Sequence, residues 1–579
     1  MTVVTATIGT HAATRGGRYL ERAALGLIAA FLAVGVHRVF VTNINWDEFY
    51  YLSFVHLFLS GDLTLPLQTL HVRLFAWLPW VSENEVWQIF AARGVVWLAG
   101  LLSAWLIFRI AGRFCGRLGA LFAVVLYLSF SYVMDHGTSF RADPFCALLF
   151  LLAAHLLVDK SAWPYTGPAA AVAMAAAVMF SLKSVFYLPT VAVLLAAPLL
   201  VPPGRFEGLR RSAVFAVWFL AALAGLFTWH KLGLAPALPA DAGAYAAAAG
   251  RKTIGFDRLL PAWPFVARAL ADNPLVWIFV VCGLWTAGQR LVAADERVNA
   301  VMALSFAVPL LSLLVYRNAF PYFFVFLMPA AVIPAAIAVD RLAARALAPG
   351  GGAAFAALTA TLTLAGAGYA LNYAQKLPDQ TVAQAETVRL VHAMFDEPVP
   401  YIDRNSMIAS FPKVGFFMST WGLESYRAAG QPIMADLLAR HAPPLLLANA
   451  PALDISRFVE ADQKTSSYSL FQEDIDVLKE NYIHHWGAVY VAGKRLLLEA
   501  GDGPRTFQVL IPGTYTLEAK RTVAIDGVDH APGAFVALGR GSHQITTLDD
   551  GTLPVTLRWG RDLIRPAQAP SPQPIYTSF

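Results

Sequence analysis

The sequence predicts a mainly α-helical, polytopic membrane protein with about eleven transmembrane helices, followed by an extracytoplasmic α/β region and a small β-sandwich. Three observations carry this prediction. Of the 579 residues, 57% are hydrophobic and 14% charged, against about 45–50% and about 25% in soluble globular chains. Apolar stretches of roughly 18–25 residues, enough to cross hydrocarbon, recur along the first two thirds. Lys and Arg gather in alternate short loops. This balance excludes an ordinary soluble enzyme and a disordered chain. The net charge of +5 reads as basic cytoplasmic loops, with no nucleic-acid partner. Cys115, Cys146 and Cys282 lie far apart in or beside apolar stretches, without the spacing of a disulfide framework or zinc site.

The first span runs from about Ala23 to Val41. It is longer than a signal-peptide core, and no small-residue cleavage site follows it. Further spans are predicted near 86–108, 118–134, 142–158, 166–183, 185–201, 212–230, 274–289, 299–316, 320–339 and 353–372. Arg15, Arg18 and Arg22 precede the first and place the N-terminus in the cytoplasm. The even-numbered turns carry Arg109, Arg113 and Arg117; Lys160; Arg205, Arg210 and Arg211; Arg290 and Arg297; Arg341 and Arg345. With an odd number of spans, everything after about Tyr373 lies outside the cytoplasm.

Three segments then project outward. In the loop from about Thr42 to Glu85, patterns around Phe49–Leu59 and Leu70–Trp80 predict helices lying in the membrane interface. The loop from about Leu232 to Asn273 is rich in Ala and Gly and carries Arg251, Lys252 and Arg258. The tail has ordinary polarity. Residues 376–503 mix helical patterns (Thr387–Phe395, Met434–His441) with strand-like runs (Leu445–Asn449, Ala488–Val491), which reads as α/β. Residues 504–579 alternate with period two over Thr506–Ile511, Gly513–Glu518, Val523–Ile525, Ala534–Leu538, His543–Thr547 and Val555–Trp559. With Asp526-Gly527 and Asp550-Gly551 as turns, they read as a small sandwich. Residues 1–375 form the transmembrane domain in this division.

Four polar groups stand out at the predicted outer ends of spans. Asp47 and Glu48 follow the first span inside Asn45-Trp46-Asp47-Glu48-Phe49-Tyr50-Tyr51. Adjacent carboxylates at a low-dielectric boundary repel each other, which favours proton uptake by one and suits a general base. The alternative is a pair of solvated acids in an interfacial aromatic belt. Asp135-His136 and Arg141-Ala142-Asp143-Pro144 come next, where helix capping with a local ion pair is the alternative. Lys183 sits between two spans and needs a partner, water or a phosphate, unless it snorkels. Arg317 lies in Tyr316-Arg317-Asn318-Ala319-Phe320-Pro321-Tyr322, otherwise an interfacial anchor. All four fall on one predicted face. Cations suit a lipid-linked phosphate, and a carboxylate suits activation of a hydroxyl.

At these residues the sequence resembles the GT-C type membrane glycosyltransferases, in the branch of protein O-mannosyltransferases and lipid A aminoarabinose transferases. The Asp47-Glu48 pair followed by Tyr50 carries the likeness. Leu182-Lys183-Ser184 resembles the branch's Thr-Lys-Gly stretch, Arg317 through Pro321-Tyr322 with Pro329 its Leu-Pro-Tyr-Tyr…Pro stretch, and Phe140–Pro144 its second acidic motif. The likeness covers roughly residues 20–375. It departs in the first loop, where Pro66-Leu67-Gln68-Thr69-Leu70-His71-Val72-Arg73 stands in place of a Lys-Pro-Pro or His-Pro-Pro element.

The resemblance implies a polyprenyl-phosphate sugar as donor, transfer with inversion, and a glycan, glycolipid or protein as acceptor. It assigns Asp47 as base, Glu48 as its neighbour and Asp143 to the acceptor side, these three forming the catalytic set. Lys183 and Arg317, with His71 or Arg73 for the missing first-loop element, would bind the donor phosphate. Tyr50, Tyr51, Arg141, His136 and Tyr322 would contact substrate. No cofactor is required; a divalent metal at Asp47 and Glu48 is compatible with the acids but not indicated. Composition suggests a bacterial inner membrane. The rival readings are a transporter or flippase for lipid-linked sugars and a non-catalytic assembly protein.

Overall fold

A computed structural model describes residues 2–64, 70–158, 163–200, 205–234, 253–255, 258–293, 295–375, 380–455, 469–499, 503–547, 551–573 and 575–576, with side chains from residue 15 onward. The predicted features at 66–69, Lys160, Arg251, Lys252 and Asp550 lie outside the described residues. The chain divides into two compact units. One comprises Met1–Thr42, Leu57–Leu78 and Phe90–Leu377; the other Asn43–His56, Pro79–Ile89 and Pro378–Phe579.

The first unit is a helix bundle. Among the described residues, six helices are long and apolar enough to cross a membrane: Arg15–Val41, Glu85–Ala111, Gly208–Lys231, Arg297–Leu314, Phe323–Ala346 and Gly352–Gln375. A seventh candidate, Trp263–Asp272 with Pro274–Arg290, bends by 93° between its parts. Shorter apolar helices occupy Arg117–Leu128, Asp143–Val158, Tyr165–Phe180 and Leu182–Ala196. Each predicted stretch overlaps one of these segments, four of which are shorter than the roughly 18–25 residues expected of a span. The protein is a multi-pass membrane protein.

Helix Phe323–Ala346 is the axis of this bundle. In its most apolar 18-residue window, 94% is buried in protein, against 6% for Gly208–Lys231. An all-apolar helix belongs in such a centre. It packs against helices 274–290, 117–128, 143–158 and 352–375. Two glycines permit the closest approaches. A Cβ at Gly283 would stand 2.1 Å from the Pro334 carbonyl oxygen, and one at Gly119 2.7 Å from that of Ala336.

The second unit is α/β leading into a sandwich. Its strands are β1 (Tyr401–Ile402), β2 (Leu445–Leu447), β3 (Tyr482–Trp486), β4 (Val489–Leu498), β5 (Arg505–Val509), β6 (Gly513–Glu518), β7 (Val523–Ile525), β8 (Val528–His530), β9 (Phe535–Leu538), β10 (Gly541–Thr547) and β11 (Leu553–Trp559). One sheet has the order β1-β2-β4-β11-β6-β9, with β3 also on β4; the other is β5-β10-β7-β8. Among the described strands, only β1 and β2 pair in parallel. The alternating runs become strands because every second residue is apolar. In β11, Leu553, Val555 and Leu557 enter the core. Asp526 and Gly527 form the β7–β8 turn at φ 50° and 80°, as a tight hairpin demands.

Strand β4 joins two hydrophobic cores. Its first half pairs with β2 and β3, over a core including Ile402, Leu446, Leu453, Leu478 and Tyr490. Its second half, from Gly493 to Leu498, pairs with β11, whose core includes Phe507, Leu517, Ile525, Ile545 and Leu557. Trp559 packs against both. In helix Trp46–Ser60, where a helix in the membrane interface was expected, Phe49, Leu52 and Val55 are wholly buried in protein while Leu57 and Leu59 are exposed.

Glu85 is wholly buried in this unit. Its carboxylate accepts from the Ser410 N–H at 3.2 Å, the Ser410 hydroxyl at 2.8 Å and His392 Nε2 at 3.0 Å. Burial lowers the affinity of His392 for a proton, but the Glu85 hydrogen bond and charge outweigh it, so the His392 pKa is raised. A raised folded pKa stabilises below the unfolded value and loses that contribution as pH climbs through the folded one. The thermal-stability gap between wild type and His392→Gln is therefore expected to be larger near about pH 6 than near about pH 9; an equal gap at both would refute the linkage.

Candidate active site

Within the helix bundle, four of the predicted site residues come together around Asp143. This residue opens helix Asp143–Val158, with Pro144 next, and its side chain is 1% exposed. An acid suits that end of a helix. Lys183 Nζ lies 2.5 Å from Asp143 Oδ1, and Arg141 Nε 3.7 Å from Oδ2. The Arg141 guanidinium stacks 3.5 Å from the centre of the Tyr322 ring, and Lys183 Nζ lies 5.6 Å from the same centre. Tyr316 is within electrostatic reach of Lys183, Asp143 and Arg141. Its ring lies 4.7 Å from Phe323 and 5.4 Å from Phe186. Two cations face one carboxylate here.

Local sequence explains each placement. Lys183 lies in a 3-10 segment, Leu182–Tyr187, between two apolar helices. Tyr187 anchors that segment by donating to the Phe326 carbonyl of the axial helix at 2.5 Å. An aromatic shelf of Phe75, Phe140, Phe145 and Phe180 adjoins the cluster.

His71 packs on that shelf, its ring 6.3 Å from those of Phe140 and Phe180. Burial and the nearby His230 push its pKa down to about 4, which leaves the ring neutral at pH 7. Arg73 serves another structure: it donates to the Trp229 carbonyl at 2.7 Å and stacks 4.3 Å over the Trp229 ring, capping the end of a helix. Arg317 donates its backbone N–H to the Thr253 carbonyl, beside the Ile254–Tyr316 bridge, and its side chain is half-buried. His136 ends helix Ser131–His136 and is half-buried. Its neighbour Asp135 pairs with Arg38 at 3.4 Å, both nearly buried. Sequence reading missed Arg38. A cation in the last turn of an apolar span was the available signal.

Asp47 and Glu48 lie in the second unit, at the start of helix Trp46–Ser60. Asn45 is the N-cap: its Oδ1 accepts the Asp47 N–H at 2.9 Å, and Glu48 Oε2 accepts the Asn45 N–H at 2.9 Å. This is a reciprocal capping box. Glu48 is fully buried, while Asp47 is half-buried. The two acids therefore differ in kind. Tyr50 stacks on Phe417 at 4.1 Å and 9°, and Tyr51 meets the edge of Phe54 at 6.3 Å. Trp46 and Phe49 present edges to Tyr576 at 6.3 and 6.2 Å. Arg404, Asn405 and Tyr576 gather around this helix start and carried no sequence signal, being far away in the chain. Among the described residues no group of three or more His, Cys, Asp and Glu could hold a metal ion.

No family model and no curated protein matches the chain. Its fold is similar to that of ArnT from Cupriavidus metallidurans bound to undecaprenyl phosphate, with TM-score 0.54 and 16% identity, covering 75% of this chain and 95% of that one. The apo state of the same ArnT gives 0.50 and 16%, covering 73% and 93%. At this identity the likeness establishes the fold, and it is of the GT-C type that the sequence resembles.

Two stability outcomes follow. Removing one partner of a buried ion pair costs about 3–5 kcal/mol, so Asp143→Ala and Lys183→Met are each expected to destabilise by that much in thermal unfolding, and the double variant by clearly less than their sum. Additive losses would mean the pair is not coupled. At the helix start, Glu48→Gln keeps the cap and is expected to preserve folding, whereas Glu48→Ala is expected to cost about 1 kcal/mol. Equal melting of the two variants would refute the capping role.

Proposed function

We propose that the protein is an inverting glycosyltransferase that moves a sugar from a polyprenyl-phosphate donor to an acceptor hydroxyl on the outer face of a bacterial inner membrane, in cell-envelope glycan or glycolipid modification. One observation carries the reading: two cations, Lys183 and Arg141, are held against the carboxylate of Asp143 inside the bundle. A lysine and an arginine gathered at one point suit the oxygens of a phosphate. ArnT from Cupriavidus metallidurans, similar in fold, is seen bound to undecaprenyl phosphate, which supports the reading. The basic alternate turns support a cytoplasmic N-terminus and a periplasmic C-terminal region.

The chemistry is a single displacement. The bond between the anomeric carbon and the phosphate oxygen breaks, and the acceptor oxygen bonds that carbon from the opposite side. The acceptor proton passes to Asp47. Lys183, Arg141 and Arg317 offset the charge that grows on the leaving phosphate. Arg141, stacked flat on Tyr322, presents its fork in one orientation. Asp143 holds both cations in place, and Glu48 fixes the helix turn from which Asp47 projects. Positioning and preorganised charge supply most of the acceleration. The sequence of steps calls on no metal, and the sugar, hexose or pentose, is set by the donor.

The test begins with binding. Protein in nanodiscs is incubated with a panel of polyprenyl-phosphate sugars, and retained lipids are read by native mass spectrometry. Wild type is expected to retain one donor that Lys183→Ala and Arg317→Ala lose. Transfer from that donor is expected to fall about 10²–10⁴-fold in Asp47→Asn with donor retention intact. Full activity of Asp47→Asn would remove Asp47 from its role; retention of no donor would favour the assembly or transport readings.

A further inference from the structure

The second unit carries a cleft of about 1170 Å³ that the transfer chemistry leaves unused. It follows β4 from Tyr490 to Leu496, about 20 Å of strand at about 3.3 Å per residue. Strand β5 contributes Thr506, Phe507 and Gln508, and helix Thr381–Met394 contributes Glu386 and Thr387. A site for one small molecule occupies about 300–1000 Å³. A larger cleft drawn out along a strand suits a chain of linked units.

Its walls are held in place. Along the C-terminal segment, Trp486 Nε1 donates to the Gln568 carbonyl at 2.9 Å, Glu386 Oε2 accepts the Ser571 N–H at 3.1 Å, and Gln384 Nε2 donates to the Ile575 carbonyl at 2.9 Å. Pro570 and Pro572 line the cleft within that span, with φ fixed by their rings. Strand β4 is held by β2, β3 and β11. A ligand entering a preformed cleft meets little ordering cost.

The lining mixes charges of both signs. Among the described residues, Lys479, Lys494, Arg495 and Arg505 stand with Glu386, Asp454 and Glu480. Asn449, Thr506 and Gln508 add neutral donors and acceptors, while Trp486, Tyr490 and Pro570 add apolar surface. Lys494 is the most enclosed of the charges. Its side chain is 9% exposed, with Nζ 3.1 Å from Asn481 Oδ1 and 3.6 Å from Glu480 Oε1. An ammonium has three N–H groups, which leaves the third for a ligand oxygen.

This mixture narrows the occupant. An acyl chain would strip water from the polar groups and return no hydrogen bond. A polyanion would meet three carboxylates among the cations. A sugar hydroxyl both donates and accepts, so it finds matches among acids and bases alike, and the C–H edges of the ring tolerate the apolar patches.

We propose that this cleft binds an oligosaccharide and holds the sugar chain of the acceptor. The acceptor role rests on the glycosyltransferase reading above; sugar binding itself does not. A grip on the chain away from the reacting hydroxyl supplies binding energy that lowers the acceptor KM.

The full-length protein in nanodiscs is titrated with the linear hexasaccharides of glucose, mannose, arabinose and galacturonic acid. Acetylation by N-hydroxysuccinimidyl acetate is followed at each lysine by peptide mass spectrometry. Burial pushes the Lys494 pKa down, which favours its reaction as the free amine. One of these chains is expected to shield Lys494 and Lys479 several-fold and to leave Lys520, exposed on the sandwich, unchanged. Periodate cleavage of that chain's vicinal diols is expected to abolish the shielding. Arg495→Ala and Gln508→Ala replace exposed strand residues and are expected to keep the wild-type circular dichroism while weakening binding about tenfold each. No shielding by any of the four chains, or wild-type affinity in both variants, overturns the proposal. Shielding by undecaprenyl phosphate in place of a sugar overturns it and makes the cleft a lipid site. With the donor that wild type retains, Arg495→Ala is expected to raise the acceptor KM at unchanged kcat; an unmoved KM overturns the acceptor role. Absence of transfer from every donor strikes the glycosyltransferase reading and the acceptor role with it, while the shielding stands on its own.

Discussion

A charge removed from water must be matched, and this requirement organises both the bundle and the C-terminal unit. The clearest instance is Asp143 with Lys183 and Arg141. Each buried ion carries a desolvation cost of several kcal/mol, which only close partners offset. Meeting that cost fixes where helix Asp143–Val158 begins, where the 3-10 segment 182–187 lies and which face of Tyr322 is covered. The same requirement ties Arg38 to Asp135. It also gives Glu85 its three donors and Asp403 its four. These polar knots sit at the ends of apolar elements, where their geometry is over-determined by packing on every side.

The carboxylates differ in how much freedom that leaves them. Glu48 and Asp403 are spoken for by backbone N–H groups, and Asp143 by cations. Asp47 is half-buried and receives its setting from neighbours, with Arg404 stacked on the preceding residue. Such division of labour is economical: rigid acids shape the loop after Asp403 and the helix turn, and a more accessible one follows Trp46. Adjacent residues in sequence, Asp47 and Glu48, thereby acquire opposite characters from a single helical step.

Much of this was legible in the sequence, for identifiable reasons. Apolar length located the helical segments, because a continuous apolar run has few alternatives to a helix in a membrane. Period-two alternation located the sandwich strands, and Asp526-Gly527 their tight turn, since both signals are local. Helix Met434–His441 was read to the residue. The Asp143–Lys183 meeting was only half legible. Both residues stood out as misplaced charges, but nothing local says that a residue forty positions on is the partner. Arg73 was read, with His71, as a candidate phosphate ligand; the structure adds a bond from its guanidinium to the Trp229 carbonyl at a helix end, which no local signal announced. Arg404 and Tyr576 were invisible because their significance comes wholly from which helix they reach. β8 escaped notice as well, three residues with no buried side chain.

The manner in which β4 serves two cores has a practical meaning for anyone trimming the chain. A cut near residue 503 looks natural, since it falls between the α/β pattern and the sandwich. It would strip β11 from the second half of β4, from Gly493 to Leu498, and leave six residues of ladder without their mates. Trp559, which packs against the first core, would go with it. An open strand edge beside a depleted core is a template for intermolecular sheet growth. The shorter chain would be an adhesive fragment instead of a smaller folded protein, so the natural unit for expression runs through the whole tail.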